Sequence, residues 1–131
     1  MKKPFSIRVL VMFCLLLFSA QCDEDMGLSQ EDEQEQLAAL KTEIEDLAST
    51  STCGDGFECK FTAFGSKPCG GPWSYLIYST SIDTRALEKM IENYNRKESL
   101  YNETWGIISD CTVANPPTSI ICENNGCVAI F

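Results

Sequence analysis

The chain has 131 residues, with 10 basic and 19 acidic side chains, eight cysteines and no histidine. Its net charge of −9 argues against nucleic-acid binding, which needs a basic surface. Because histidine is absent and the acids of residues 53–131 are scattered singly, no triad-type or paired-carboxylate site is indicated, and we expect neither enzymatic activity nor a cofactor.

Residues 1–21 have the composition of a secretory signal. Three basic residues precede the apolar run "VLVMFCLLLFSA" at positions 9–20. This run is shorter than the roughly 20 residues that a membrane-spanning helix needs, and it has the length of a signal-peptide core. The next residues are Gln21 and Cys22, followed at once by acids.

The stretch "SAQCDED", residues 19–25, resembles the lipobox and export signal of lipoproteins from the bacterial phylum Bacteroidota. The resemblance implies that Cys22 becomes the first mature residue and carries acyl chains such as palmitate. It also implies an export signal, formed by Asp23, Glu24 and Asp25, that places the protein on the cell surface, outside the outer membrane. Gln21 departs from the commoner small residue before the cysteine. Anchorage on the periplasmic face, an ordinary signal peptide and an uncleaved anchor are the alternatives.

Without residues 1–21 the chain keeps seven basic and nineteen acidic residues, a net charge of −12. The excess is concentrated near the start, where residues 22–33 predict an acidic disordered tether. Residues 34–50 predict an amphipathic helix, because apolar residues recur at helical spacing: Leu37, Leu40, Ile44 and Leu47. We expect this stripe to dock on the protein's own core. A short coiled coil is the alternative.

Six cysteines remain in a small domain at residues 53–131. They are Cys53, Cys59, Cys69, Cys111, Cys122 and Cys127. An even number in a small exported domain predicts three disulfides, and six cysteines allow 15 pairings among which sequence does not choose. Without histidine or a Cys-x-x-Cys pair, no metal site is expected.

The domain's elements follow from local patterns. The alternating stretch 57–64 and the β-branched and aromatic stretch 73–79 predict two strands. Asp83 is a candidate N-cap for a long helix that runs to about residue 104, before Gly106. The segment "GIISDCTV", residues 106–113, predicts a third strand, and residues 118–131 predict a hairpin.

The hairpin's predicted turn is Asn124-Asn125, since Asn tolerates the positive φ that a two-residue turn demands. This register places Cys122 opposite Cys127. The two could bond to each other or staple the hairpin to other elements. The whole pattern predicts an α+β fold: a small antiparallel sheet with one long packed helix, preceded by an N-terminal helix and stapled by disulfides.

The loop "GSKPCGGPW", residues 65–73, is a candidate binding loop, because prolines and a pinned cysteine stiffen it. Its candidate binding residues are Lys67, which we expect to project from the loop, Pro68, Gly70, Gly71 and Trp73. A plain connection between two strands is the simpler interpretation. Trp73, Tyr75 and Ile77 share one strand face, and Leu76 and Tyr78 share the other. One face covers the long helix, and the N-terminal helix would cover the other face or a partner would bind it.

These features predict a lipid-anchored, non-enzymatic binding or accessory module of the bacterial outer membrane. Its expected partner is the membrane, through the N-terminal lipid, and a protein is the second candidate partner. The alternatives are a structural envelope lipoprotein that faces the periplasm, and a protease inhibitor that uses the loop 65–72.

Overall fold

A computed structural model of the chain describes residues 27–131, so the predicted signal peptide, the lipid site at Cys22 and the acids Asp23 to Asp25 lie outside the described residues. Two helices and four strands follow in the order α1 (Gln30–Ser49), β1 (Cys59–Phe64), β2 (Ser74–Ser79), α2 (Thr84–Trp105), β3 (Ser119–Glu123) and β4 (Gly126–Ile130). The fold is the predicted α+β class. No helix in this part of the chain is long and apolar enough to cross a membrane.

Helix α1 begins at Gln30, four residues before the predicted start, so residues 30–33 are not part of a disordered tether. The cause is a capping box. The Ser29 hydroxyl accepts from the Asp32 N–H, and the Asp32 carboxylate accepts from the Ser29 N–H, each at 3.2 Å. Acidic side chains in the first turn also suit the positive end of the helix dipole.

The strands form two separate two-stranded antiparallel sheets, β1–β2 and β3–β4, rather than the single sheet predicted. In the first sheet Cys59 pairs with Ser79 and Phe64 with Ser74. The disulfide Cys59–Cys127 connects the second sheet to the first, and Cys53–Cys122 connects the second sheet to the segment before β1.

Helix α2 has both predicted ends. Asp83 Oδ1 accepts from the Ala86 N–H at 3.0 Å, and Gly106 ends the helix in the left-handed conformation, with φ at 61°. Its apolar face packs on one face of β1–β2, and α1 lies on the same side. Seven residues form the buried core: Ile44, Ala48, Phe64, Tyr78, Leu87, Ile91 and Tyr94.

Helix α1 docks on this core, as predicted, through its apolar stripe. Ile44 is fully buried, while Leu37, Leu40 and Leu47 pack around the core. The start of α1 lies beside the end of α2, where the Trp105 indole N–H donates to Glu33 Oε2 at 2.9 Å. The two helices are therefore antiparallel neighbours.

The third strand predicted at residues 106–113 is absent: Gly106 ends α2 and residues 107–117 are irregular. Ile108 is 93% exposed and Val113 is 80% exposed, so the apolar pattern there does not reflect a buried strand face. The carbonyl of Thr112 accepts from the Lys67 ammonium instead of a neighbouring strand. The segment is held by side chains.

The C-terminal hairpin has the predicted register, with Glu123 opposite Gly126 and Cys122 opposite Cys127. Asn124 and Asn125 have φ of 50° and 63°, which is the conformation that a type I′ turn needs.

Three disulfides close the fold: Cys53–Cys122, Cys59–Cys127 and Cys69–Cys111. The number is as predicted. Of the two possibilities left open for Cys122 and Cys127, the structure has the one in which both join the hairpin to other elements.

Candidate binding surface

The loop between β1 and β2, residues 65–72, folds back on itself. The Lys67 N–H donates to the Gly71 carbonyl at 2.9 Å, and the Gly70 N–H donates to the Lys67 carbonyl at 2.8 Å. Gly70 and Gly71 have φ of 90° and 81°, a region that glycine enters without the steric cost of a Cβ. The result is a tight turn with residues 68–71 at its outer end.

Three polar side chains of α2 hold the beginning of the loop. The Gly65 N–H donates to Asn95 Oδ1 at 2.7 Å, and the Ser66 N–H donates to Glu98 Oε2. The Asn102 amide donates to the Ser66 carbonyl at 2.7 Å. Spacings of three and four residues place these side chains on one helix face. This face was not recognised from sequence, because such residues usually mark a solvated side of a helix.

Lys67 does not project into solvent, which corrects the sequence-based expectation. It is only 8% exposed. Its ammonium donates to the Thr112 carbonyl at 2.6 Å, to Thr112 Oγ1 at 3.1 Å and to Asp110 Oδ1 at 3.2 Å. These bonds replace hydration of a buried charge, so Lys67 fastens the loop to residues 110–112 and is not available to a partner. The same hydrogen bond lowers the pKa of Asp110.

Trp73 completes the enclosure of Lys67. The ammonium lies 4.8 Å from the centre of the Trp73 ring, within the range of a cation–π interaction. The indole also lies close to Gly65, where a Cβ would come within 2.6 Å of Trp73 Cδ1. Even so, 42% of Trp73 stays exposed.

The outer end of the loop is exposed although its backbone is fixed. The tip, which we define as residues 68–71, is exposed throughout. Cys69 within it is bonded to Cys111. Of the predicted binding residues, Pro68, Gly70, Gly71 and Trp73 are exposed, whereas Lys67 is buried.

The face of β1–β2 that points away from the helices carries aromatic side chains. From the register, Phe61, Tyr75 and Ile77 share this face, while Tyr78 and Leu76 face the core. Phe61 and Tyr75 make an edge-to-face pair with centroids 5.7 Å apart, and Phe61 is 39% exposed. Helix α1 does not cover this face, contrary to the interpretation that it docks there.

The outer face of the C-terminal hairpin is a second apolar surface, which sequence analysis did not single out. Ile121 lies opposite Val128, and both are exposed, as are Ile130 and Phe131 at the chain end. The alternation of residues along the two strands is the sequence signal that could have revealed this surface. Residues 120, 122, 127 and 129 share the inner face, which leaves apolar residues on the outer one.

The buried phenols have structural roles. Tyr78 Oη donates to Glu88 Oε1 at 2.9 Å, and Tyr94 Oη donates to Glu98 Oε1 at 3.1 Å. Burial is the main cause that raises the pKa of both tyrosines. Each hydroxyl therefore keeps its proton and donates a hydrogen bond to a carboxylate, and that carboxylate also contacts the sheet or the loop.

A comparison with protein-family models found no match, and comparisons with curated proteins and with solved structures found no significant similarity.

Proposed function

We propose that the protein is a lipid-anchored, non-enzymatic binding module of the bacterial cell envelope, and that a protein partner binds at the tip and Trp73. The observation that carries this is the combination of exposure and fixation at residues 68–71. Four kinds of contact fix the loop before any partner arrives: backbone bonds within it, the polar face of α2, the Lys67 ammonium and a disulfide.

Such a loop loses little conformational freedom on binding, so more of the contact energy is available as affinity. Trp73 adds a large apolar surface whose ring is already oriented, and tryptophan is a common anchor at protein interfaces. The tip itself has no charged side chain, which favours an apolar or backbone-mediated contact.

Membrane attachment is proposed from the sequence around Cys22. Several acyl chains on one cysteine would hold the protein firmly, since each buried CH₂ contributes about 0.8 kcal/mol. The acids that follow support placement at the cell surface, and a periplasm-facing structural lipoprotein is the alternative.

Protease inhibition has less support than it had from sequence. An inhibitor of this kind presents a side chain to the protease's specificity pocket, and Lys67, the basic residue of the loop, is buried.

Site-specific photo-crosslinking in cells tests the binding proposal. A photoreactive residue replaces Pro68 at the tip, and the control replaces Glu92, which is exposed on α2. We expect one discrete adduct from position 68, reduced at least tenfold by Trp73→Ala and absent from position 92. Equal adducts from both positions, or none from position 68, would contradict it.

A further inference from the structure

Two of the three disulfides lie side by side, so sulfurs of both come close together. The Sγ atoms of Cys53, Cys59 and Cys127 all lie within 4.8 Å of one another. The fourth sulfur, that of Cys122, is bonded to Cys53 Sγ at 2.02 Å and lies outside this group of three. The third disulfide, Cys69–Cys111, belongs to the loop described above.

Reduction of both disulfides frees four thiols here, and four cysteine thiolates are a ligand set of tetrahedral structural zinc sites. A Zn–S bond of about 2.3 Å places the sulfurs of such a site about 3.8 Å apart. Cys122 and Cys127 are separated by four residues, within the typical Cys-x(2–4)-Cys spacing of structural zinc ligands. The other two ligands come from Cys53 and Cys59, on either side of a short turn closed by a bridge between Gly54 and Phe57.

Backbone hydrogen bonds place three of the four cysteines relative to one another without the disulfides. Cys122 and Cys127 are opposite each other in the hairpin. The Cys53 N–H donates to the Asn125 carbonyl at 3.0 Å, which fixes Cys53 to the hairpin turn. Cys59 is paired with Ser79 in the first sheet. Reduction therefore leaves the backbone hydrogen bonds among Cys53, Cys122 and Cys127, while Cys59 loses the disulfide that joins it to the hairpin.

We propose that the reduced protein binds one Zn²⁺ through Cys53, Cys59, Cys122 and Cys127, so that the metal replaces two disulfides as the connection between the two sheets. The expectation of no metal site from sequence concerned ligand types and spacing along the chain, whereas this site is assembled by the fold.

The chemistry needs a reductant, which in the cell envelope would be a dithiol. Each disulfide takes up two electrons and two protons and becomes two thiols, while the dithiol becomes a disulfide. Zn²⁺ then displaces the four thiol protons and forms four Zn–S bonds, and the site carries a net charge of −2. The exposed Cys122 gives the reductant access to one of the two disulfides.

The test uses a phosphine, which leaves no thiol to compete for metal: the phosphine becomes its oxide, and water supplies the oxygen and the two protons. The purified protein is reduced without oxygen and titrated with Co²⁺, which reports tetrahedral thiolate ligation by visible absorption and thiolate-to-metal charge transfer. Zn²⁺ should displace the Co²⁺.

Two double variants keep the same number of thiols in different places. Cys69→Ser with Cys111→Ser retains the cluster, and Cys122→Ser with Cys127→Ser removes half of it. We expect one tetrahedral Co²⁺ per chain in the wild type and the first variant, and at least tenfold weaker binding in the second. Equal binding by the two variants would show unspecific capture by loose thiols and overturn the proposal.

Folding gives a second readout. Zn²⁺ should restore a cooperative thermal transition to the reduced wild type and to Cys69→Ser with Cys111→Ser. A reduced wild type that shows neither tetrahedral Co²⁺ bands nor this recovery would also overturn the proposal.

Discussion

The loop backbone at Gly65 lies close to the Trp73 side chain. A substitution at Gly65 can test this contact, with the same substitution at another glycine of the loop as the control. Gly65 and Gly70 both have positive φ, 83° and 90°, but a Cβ at Gly70 would meet no atom within 4 Å. Gly70→Ala should cost only the left-handed strain, about 1–2 kcal/mol. Gly65→Ala should cost about 1–3 kcal/mol more, because the methyl group must displace the indole.

Denaturant unfolding measures both variants, and Trp fluorescence should shift only for Gly65→Ala. Equal stabilities would mean that Trp73 moves away freely, and the fixed ring proposed as a binding anchor would lose its support.

The hydrogen bond from Lys67 to Asp110, which helps to hold the loop, should weaken in acid. The folded-state pKa of Asp110 lies below the ordinary value of 3.8, chiefly because it accepts a hydrogen bond from Lys67. The stabilisation is therefore complete above the unfolded-state pKa and is lost as the pH falls through the lower folded-state pKa. Between about pH 4 and pH 2, the free energy of unfolding should fall less for Asp110→Asn than for the wild type.

Thermal unfolding measured across this pH range checks the Asp110 prediction, with Asp55→Asn, an exposed acid outside the loop, as control. Identical pH profiles for the wild type and Asp110→Asn would contradict it.

Lys67 shows where reasoning from sequence stops at the scale of single residues. A lysine between Ser66 and Pro68 in a glycine-rich loop has every local sign of exposure. Its burial depends on Asp110 and Thr112, more than 40 residues away. Asp83, Gly106 and Asn124 act through their own neighbours, and their roles were predictable.

At the scale of elements, helix α1 should unfold together with the domain. Ile44 is fully buried, so Ile44→Ala should destabilise the whole domain by about 2–5 kcal/mol. Lys41→Ala, an exposed position on the same helix, should change the stability by less than about 0.5 kcal/mol.

Far-UV and near-UV dichroism in denaturant check the Ile44 prediction, because one coincident transition means that α1 is part of the cooperative unit. A helix signal lost before the near-UV signal in the wild type would show that α1 behaves as a separate tether.

Elements were predicted correctly mainly where their sequence signals are local. The hairpin turn and the ends of α2 were found because caps and turns are specified within a few residues. The start of α1 carried a local signal as well, Ser29 three residues before Asp32, and it was hidden by the acidic composition. The strand predicted in the segment before residue 117 is absent, because the β-branched residues there do not lie on a buried face.

At the scale of the whole molecule, the helices and the apolar surfaces lie on opposite sides. Both helices pack on one face of β1–β2, which leaves Phe61 and Tyr75 on the other. The hairpin is attached on that other side through Cys59, since Cys59 shares the face of Phe61. A small domain with few buried residues depends on such links, and their pairing could not be read from the sequence.

The placement of the molecule on the cell makes a prediction about its lysines. On intact cells, an amine reagent that cannot pass the outer membrane should modify the exposed Lys60, Lys89 and Lys97. Lys67 should stay unmodified because its side chain is buried and its ammonium is hydrogen-bonded. It should react once the protein is unfolded. Mass spectrometry of the isolated protein measures both, and modification at Lys67 in the folded state would contradict the description of the loop.

The export signal supplies the matched control. A variant with Asp23→Ala, Glu24→Ala and Asp25→Ala should escape the reagent on intact cells and react after the outer membrane is permeabilised. If the wild type is also unmodified on intact cells while a known surface protein is labelled, the acids do not direct surface export here. A partner at the tip and Trp73 would then be sought in the periplasm.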